Sequence, residues 1–155
     1  MGRRYRLNKN CLGCRLANGL EAAHMVYEDE VIACFLDIAP LNEGHLLLLP
    51  KEHHLDLDEL DERTAMAIMR MSAALSKMLK ELYRPDGITI LQNGGKFNDL
   101  GHYHMHVFPR YEDDGFAWVE PADRNNNRGR LEETKAAIDG ISKRYLHKPM
   151  GENDV

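Results

Sequence analysis

Residues 101–110 read G-H-Y-H-M-H-V-F-P-R and constrain the fold more than any other stretch of the chain. Histidines and apolar residues alternate there, which is the pattern of a β-strand, because successive side chains of a strand point to opposite faces. The three histidines therefore share one predicted face: His102, His104 and His106. The residues between them are predicted to pack into a core on the other face: Tyr103, Met105 and Val107.

The spacing of a strand limits what the three histidines can do together. Neighbouring positions on one face lie about 6.6–6.8 Å apart, so the outer two are separated by about 13 Å. A zinc ion holds its nitrogen ligands at about 2.0–2.1 Å. A regular strand therefore does not place all three on one ion, and we expect one or two of them to bind metal and the rest to face a substrate.

Length and charge define the class of protein. The 155 residues fit one domain (1–155) with a polar C-terminal tail from about residue 147. The net charge of −5 argues against general nucleic-acid binding. The sequence has no apolar run of about 18 residues, so no membrane span is expected. The basic start lacks the apolar stretch of a signal peptide, and a reducing cytoplasm is the expected location.

Cys11 and Cys14 form a C-x-x-C pair. In a cytoplasmic protein such a pair is a redox dithiol, half of a metal site or an incidental pair. The redox interpretation expects a β-α-β context, which this N-terminal part does not show. A metal site needs two further ligands, and histidines would have to supply them because no second C-x-x-C follows. Cys34 lies in an apolar run and is predicted to be buried.

The apolar patterns predict an α+β fold with an antiparallel sheet of about five strands. Four further strands are predicted near residues 25–27, 31–36, 45–50 and 87–92, and the first three are joined by connections too short for a crossover helix. A core stripe at three-and-four spacing predicts one long helix over residues 58–83, and a C-terminal helix is predicted over residues 131–146. A second apolar strip on the long helix is a candidate subunit contact: Met66, Met69 and Ala73.

Two loops lie next to predicted strands and contain candidate site residues. His45 opens its strand directly after Gly44, where the backbone can approach a ligand closely. Residues 93–101 form a glycine-rich loop that leads into the histidine strand. Its backbone N–H groups, with the charge of Lys96, could hold an anion.

The motifs of this chain, taken in their order along the sequence, resemble those of the histidine triad (HIT) family of nucleotide-binding proteins. The resemblance covers residues 11–110 and rests on C-x-x-C, Leu36-Asp37-Ile38 followed by Pro40, Gly44-His45, Pro50-Lys51 with His53, an Asn-Gly loop, and H-x-H-x-H before Pro-Arg. Members of that family are nucleotidyl hydrolases and transferases. The resemblance implies cleavage at the α-phosphate of a nucleotide through a covalent nucleotidyl-histidine intermediate.

The resemblance also implies roles for individual residues. His104 would be the nucleophile, His106 would neutralise the α-phosphate, and His45 would lie at the same phosphate end of the site. The nucleotide would be bound by His106 and by three more residues: Asp37 at the ribose hydroxyls, and Asn93 and Asn98 at the phosphates or ribose. A structural zinc ion would be held by Cys11, Cys14, His53 and His102. The family similarity further implies a homodimer.

The loop before the triad departs from the family pattern. Many members have a glutamine where this chain has Asn98, and often a hydroxyl residue where it has Asp99. A carboxylate near a phosphate would repel it, so Asp99 would point away or the substrate would differ.

Three functions follow from these patterns. The first is a nucleotide-phosphate hydrolase or nucleotidyltransferase acting on a small phosphoramidate, dinucleoside polyphosphate or nucleotide sugar. The alternatives are a zinc-stabilised nucleotide- or partner-binding protein with little turnover, and a metallohydrolase with the triad on a catalytic zinc.

Overall fold

The computed structural model describes residues 7–122 and 127–146. The chain divides into two compact units, Met1–Gly115 and Phe116–Val155, and each is described by itself. A single domain over 1–155 therefore stays a prediction, and the predicted polar tail from about residue 147 lies outside the described residues. No helix in the described ranges is long and apolar enough to cross a membrane.

The first unit is an α+β fold around one antiparallel sheet, as predicted. Its strands are β1 (Met25–Glu28), β2 (Ile32–Leu36), β3 (Leu46–Pro50), β4 (Gly87–Leu91) and β5 (Met105–Arg110). They lie in the order β1-β2-β3-β5-β4. The helices are α1 (Leu12–Ala17) and α2 (Glu62–Tyr83), with 3-10 turns at Leu57–Glu59 and Gly95–Phe97. In the second unit, α3 spans Leu131–Leu146 and confirms the predicted C-terminal helix.

The long helix begins four residues later than the apolar pattern predicts. Asp61 caps it, because its side chain accepts a hydrogen bond from the Thr64 N–H at 2.7 Å. The acidic residues before the cap form the separate 3-10 turn. Near the other end, Leu82 continues the three-and-four spacing from which the core stripe is predicted, but it is 65% exposed.

The histidine strand also begins late, at Met105 rather than near residue 101. Tyr103 N–H donates to the His54 carbonyl at 2.6 Å, so this part of the chain is hydrogen-bonded to the loop after β3 and not to a strand. His102 and His104 therefore lie on a segment whose shape is set by loop contacts.

The two faces of the sheet pack against different helices. One face, with Tyr103, Met105 and Val107, packs in one core cluster with Ile68, Leu75 and Leu79 of α2. The opposite face, with Ala33, Phe35 and Leu49, forms a smaller cluster with Ala17 and Leu16 of α1. Since Leu47 pairs with His106 in the sheet register, the histidines belong to this second face. The predicted alternation of core and site residues is confirmed.

Gly44 is required by packing against α2. Its φ of +85° is in the left-handed region, and a Cβ there would lie 2.5 Å from Cε2 of Tyr83. The glycine therefore allows α2 and the loop before β3 to pack closely. The sequence had suggested instead that Gly44 allows close approach to a ligand.

We expect Gly44→Ala to lower the free energy of unfolding by about 1–3 kcal/mol more than Gly19→Ala, the typical cost of overpacking. Gly19 is the matched control because its φ of +67° brings similar backbone strain, whereas nothing lies within 4 Å of its added Cβ. Urea unfolding of the two variants measures the difference. Equal destabilisation would contradict the role assigned to Tyr83.

Candidate functional site

A cavity of about 440 Å³ lies between α1 and the histidine face of the sheet. Its walls are largely apolar, and its polar residues include His104, His106 and Asp37. The apolar lining includes Leu12 and Leu16 of α1, Phe35, Leu47 and Leu100. A mostly apolar pocket with a few converging polar groups is the usual form of a small-ligand site.

Four predicted metal ligands converge beside this cavity. Cys11 and Cys14 at the start of α1, His53 after β3 and His102 offer ligand atoms that all lie within 4.8 Å of one another. Nδ1 of His102 lies 3.6 Å from Sγ of Cys11 and 3.5 Å from Sγ of Cys14, and Nδ1 of His53 lies 3.3 Å from Sγ of Cys14. Tetrahedral zinc with ordinary Zn–S and Zn–N bonds separates such atoms by roughly 3.5 Å. The donor set therefore fits zinc.

The surroundings of His102 favour metal binding by its Nδ1. Its Nε2–H donates to the Pro50 carbonyl at 2.9 Å, which leaves Nδ1 unprotonated towards the sulfur atoms. Burial lowers the pKa of His102 to about 4, so the ring is neutral at pH 7. Burial raises the pKa of the Cys14 thiol to about 11, so a metal would have to displace its proton.

Local geometry explains why α1 lies against this cluster. Cys11 is the N-cap of the helix, and its Sγ accepts a hydrogen bond from the Cys14 N–H at 3.4 Å. A Cβ on Gly13 would lie 2.4 Å from Cβ of His102, so the glycine in C-x-G-C permits the close approach. Both cysteines are buried as free thiols.

The ring of His104 is oriented by the residue two positions before it. Its Nδ1–H donates to the His102 carbonyl at 2.9 Å. In the neutral ring Nε2 then carries a lone pair. His104 is buried, but it lines the cavity and its Nε2 lies 3.3 Å from Oδ1 of Asp99. This arrangement is what a nitrogen nucleophile requires.

A chain of hydrogen bonds fixes the tautomers of the other two histidines. Leu41 N–H donates to Nδ1 of His45 at 3.1 Å, so the proton of the neutral ring is on Nε2. That Nε2–H donates to Nδ1 of His106 at 2.9 Å. Burial lowers the pKa of His45 and lowers that of His106 to about 4, so both rings are neutral at pH 7. His106 consequently carries its own proton on Nε2 as a hydrogen-bond donor.

Asp37 lies at the end of β2 beside these rings. Its Oδ1 accepts the Ala39 N–H at 2.8 Å. Its Oδ2 lies 3.6 Å from Nε2 of His45 and 3.7 Å from Nδ1 of His106. The carboxylate lines the cavity with one oxygen already bound to the backbone.

The two asparagines differ in how they are held. The Asn98 amide donates to the carbonyls of Leu55 and His102 and accepts from the N–H groups of Leu100 and Gly101. Its hydrogen-bonding capacity is thus used within the loop, and a nucleotide contact would have to replace one of these bonds. Asn93 lies two residues beyond Leu91, the register partner of His106.

A carboxylate of the protein itself accepts a hydrogen bond from the glycine-rich loop. Gly95 N–H donates to Oδ1 of Asp56 at 2.9 Å, and Lys96 is not among the cavity residues. The structure therefore gives no support to an anion site at this N–H.

Several features of the site have no strong signal in the sequence. These are the cavity wall formed by α1, the Pro50 carbonyl behind His102 and the Leu41 N–H behind His45. Nearly every residue type supplies the same backbone carbonyl and N–H, so the sequence does not reveal such hydrogen-bond partners. The apolar Leu12 and Leu16 do lie at helical spacing on either side of Cys14, and this was the available clue to the wall.

The chain is similar over most of its length to proteins of one family. The HIT domain profile matches residues 19–113. An uncharacterised HIT-like protein of Methanocaldococcus jannaschii is 38% identical over 107 residues, which are 68% of this chain and 82% of the relative. The crystal structure of a HIT family member from Bacillus subtilis has a TM-score of 0.77 and 30% identity, and the match covers 89% of this chain and 99% of that one.

A zinc-bound histidine triad protein of Mycobacterium smegmatis is similar as well, with a TM-score of 0.64, 30% identity and coverage of 84% of this chain and 96% of that one. Two more distant relatives are nucleotide hydrolases. The adenylylsulfatase HINT3 of Arabidopsis thaliana is 27% identical over 142 residues, which are 90% of this chain and 71% of the relative. The adenosine 5'-monophosphoramidase of Schizosaccharomyces pombe is 28% identical over 114 residues, which are 70% of this chain and 83% of the relative.

The matched profile covers more than half of the 155 residues, and it includes the three aligned histidines, of which His104 and His106 line the cavity. This chain belongs to the HIT, or histidine triad, family.

Proposed function

We propose that this protein is a nucleotide hydrolase or nucleotidyltransferase that cleaves at the α-phosphate through a covalent nucleotidyl-histidine intermediate. The observation that supports this most is the fixed tautomer of His104. Its Nδ1–H is held by the His102 carbonyl, and Nε2 presents a lone pair at the cavity.

The reaction has two steps. In the first, the Nε2 lone pair of His104 forms a bond to the α-phosphorus, and the bond from phosphorus to the leaving group breaks. The leaving group departs with that electron pair and, where it is an amine, takes a proton from water. In the second step water attacks phosphorus, the N–P bond breaks with its pair returning to Nε2, and the water's proton goes to solvent. The products are a nucleoside monophosphate and the protonated leaving group.

His106 and His45 would act on the phosphate as an oriented pair. The Nε2–H of neutral His106 is a donor that suits a non-bridging oxygen on which negative charge increases in the transition state. His45 holds that donor in place through Nδ1 of His106. We therefore assign stabilisation of the phosphate to hydrogen-bond donation, since His106 is not charged at pH 7.

The nucleotide would lie in the apolar cavity with its ribose towards Asp37. The free Oδ2 of Asp37 can accept hydrogen bonds from ribose hydroxyls, while Phe35, Leu47 and Leu16 offer a surface for the base. Asn93 and Asn98 remain proposed contacts to phosphate or ribose. The activities of the Arabidopsis and fission yeast relatives favour a small adenylyl conjugate as substrate.

Zinc is the proposed structural cofactor. Cys11, Cys14, His53 and His102 would supply all four ligands, so the ion would be closed to substrate and would stabilise the fold. A triad bound to one catalytic zinc is not supported, because Nδ1 of His102 faces the sulfur atoms of Cys11 and Cys14 whereas His104 and His106 line the cavity. A cytoplasmic location is proposed with the zinc, since buried free thiols suit a reducing compartment.

A homodimer is also proposed. Met66 is 43% and Met69 is 60% exposed on α2 of the single chain, and β4 lies at the end of the described strand order with Ile90 47% exposed. Exposed apolar side chains and an edge strand with one paired side suit contact with a second copy of the chain.

Sedimentation of the wild-type protein should give twice the mass of one chain. Met69→Glu should shift the protein towards the monomer, because it puts a charge on the apolar surface. A monomeric wild type would refute the dimer.

A nucleotide-binding protein with little turnover is the second candidate. One observation favours it: Oδ1 of Asp99 lies 3.3 Å from Nε2 of His104, next to the place where the phosphorus must approach.

We expect a nucleotidyl adduct on the wild-type protein after brief incubation with adenosine 5'-phosphoramidate, measured by intact mass. His104→Ala should form none and lose activity by roughly a thousandfold or more, because it lacks the nucleophile. His106→Asn is the matched control, since it keeps Nε2 of His104 and should still form the adduct more slowly. Product formation by His104→Ala at the wild-type rate would refute the covalent mechanism. Binding without adduct or products in the wild type would favour the second candidate.

Cys14→Ser should lose bound zinc, lower the thermal midpoint by several degrees or more, and weaken nucleotide binding. The reason is that α1 supplies both a metal ligand and the cavity wall at Leu12 and Leu16. Metal content, thermal unfolding and nucleotide titration measure these effects. Cys34→Ala is the control, because Cys34 is buried outside the cluster and should leave the zinc content unchanged. A wild-type protein purified with no zinc, and unaffected by added zinc, would contradict the assignment.

A further inference from the structure

Asp99 is the residue of the site that the proposed reaction does not use. Its Oδ1 lies 3.3 Å from Nε2 of His104, and its side chain is 88% exposed to solvent. Among the described residues, the structure gives its carboxylate no lysine or arginine partner. Asp99 therefore puts an exposed carboxylate beside the proposed nucleophile.

Hydrogen bonds of the preceding residue hold the backbone next to Asp99. Asn98, the preceding residue, is hydrogen-bonded to Leu55 and His102 on one side and to Gly101 on the other. When an α-phosphate reaches His104, the carboxylate must leave Nε2, because phosphorus takes that place. A rotation of its short side chain keeps the charge within several ångströms of the reacting centre, at the open side of the cavity.

The other charges of the cavity do not offset it. Among the described residues that line the cavity there are three carboxylates, Glu21, Asp37 and Asp99, and no lysine or arginine. Glu21 is paired with Arg15 at 3.1 Å, and Asp37 faces His45 and His106. Asp99 is the most exposed of the three and lies beside Nε2 of His104, so a charged group on a substrate bound there comes within its field.

We propose that Asp99 is a specificity-determining residue that selects leaving groups by charge, favouring phosphoramidates of cationic amines over conjugates with anionic leaving groups. This rests on the proposed function. The carboxylate attracts a cationic group carried by the leaving amine, and it repels a carboxylate, sulfate or phosphate in the same position. Asp99 takes no part in bond making, so the atoms and electrons follow the two steps given above.

The test uses three adenosine 5'-phosphoramidates with leaving amines of equal chain length: 1,3-diaminopropane, propylamine and β-alanine. Their free ends are cationic, neutral and anionic. The measured quantity is the ratio of kcat/KM for the cationic substrate to kcat/KM for the anionic one. Asp99→Asn should lower this ratio roughly tenfold, because each unit charge a few ångströms from an exposed carboxylate contributes a few-fold in a water-like dielectric.

Two variants and one change of conditions serve as controls. Asp99→Glu keeps the charge and should keep most of the ratio. Glu21→Gln removes a cavity carboxylate already paired with Arg15, and should leave the ratio unchanged. Raising the salt concentration should reduce the ratio of the wild type and leave that of Asp99→Asn nearly constant, because salt screens exposed charges.

An unchanged ratio in an active Asp99→Asn protein would overturn the inference and leave the proposed function standing. Equal loss of activity on all three substrates would also overturn it, because selection by charge requires the cationic and anionic substrates to change in opposite directions. Failure of the wild type to turn over any of the three would refute the proposed function and the inference with it.

Discussion

The site depends on His102, which uses both ring nitrogens and its carbonyl. Nε2–H donates to Pro50 at the end of β3, Nδ1 faces the sulfur atoms of Cys11 and Cys14, and the carbonyl accepts the Nδ1–H of His104. One residue thus joins a central strand, the short helix that walls the cavity, and the proposed nucleophile. A change that removes the contacts of the His102 ring would remove its contacts with the cysteines of α1. It would also alter the support of the backbone segment whose carbonyl holds the Nδ1–H of His104.

The two faces of the sheet explain how such a site coexists with a stable fold. The face against α2 contains the larger apolar cluster, and the residues that alternate with the histidines are buried in it. The face against α1 contains a smaller cluster, and part of its apolar surface lines the cavity instead of packing. A six-residue helix is too short to be stable by itself, so its place depends on the caps, on Ala17 in the core and on the cysteine–histidine cluster.

The sequence predicted the parts of this arrangement that depend on side-chain identity and period. Alternation through residues 102–107 identified the strand and its two faces, and three-and-four spacing identified α2 and α3. The later start of α2 depends on which of several neighbouring acidic side chains caps the helix, and Asp61 does so. The other parts that it could not predict depend on backbone groups: the His54 carbonyl that delays β5 and the Leu41 N–H that fixes the His45 tautomer. Tertiary contacts decide these, and any residue type can supply a carbonyl or an N–H.

The charges of the site restrict how it can recognise a phosphate. His45 and His106 are held neutral by burial, and the cavity lining within the described residues contains carboxylates but no lysine or arginine. In the proposed function, affinity for a nucleotide would therefore come from the apolar surface, the ribose contacts and one oriented donor, and not from lysine or arginine side chains. A site of this kind would bind a singly charged phosphoramidate or phosphodiester at low electrostatic cost, whereas each added negative charge on the ligand finds no lysine or arginine in the described lining to offset it. Selection among ligands by charge would then depend on Asp99, whose exposed carboxylate lies beside the proposed nucleophile.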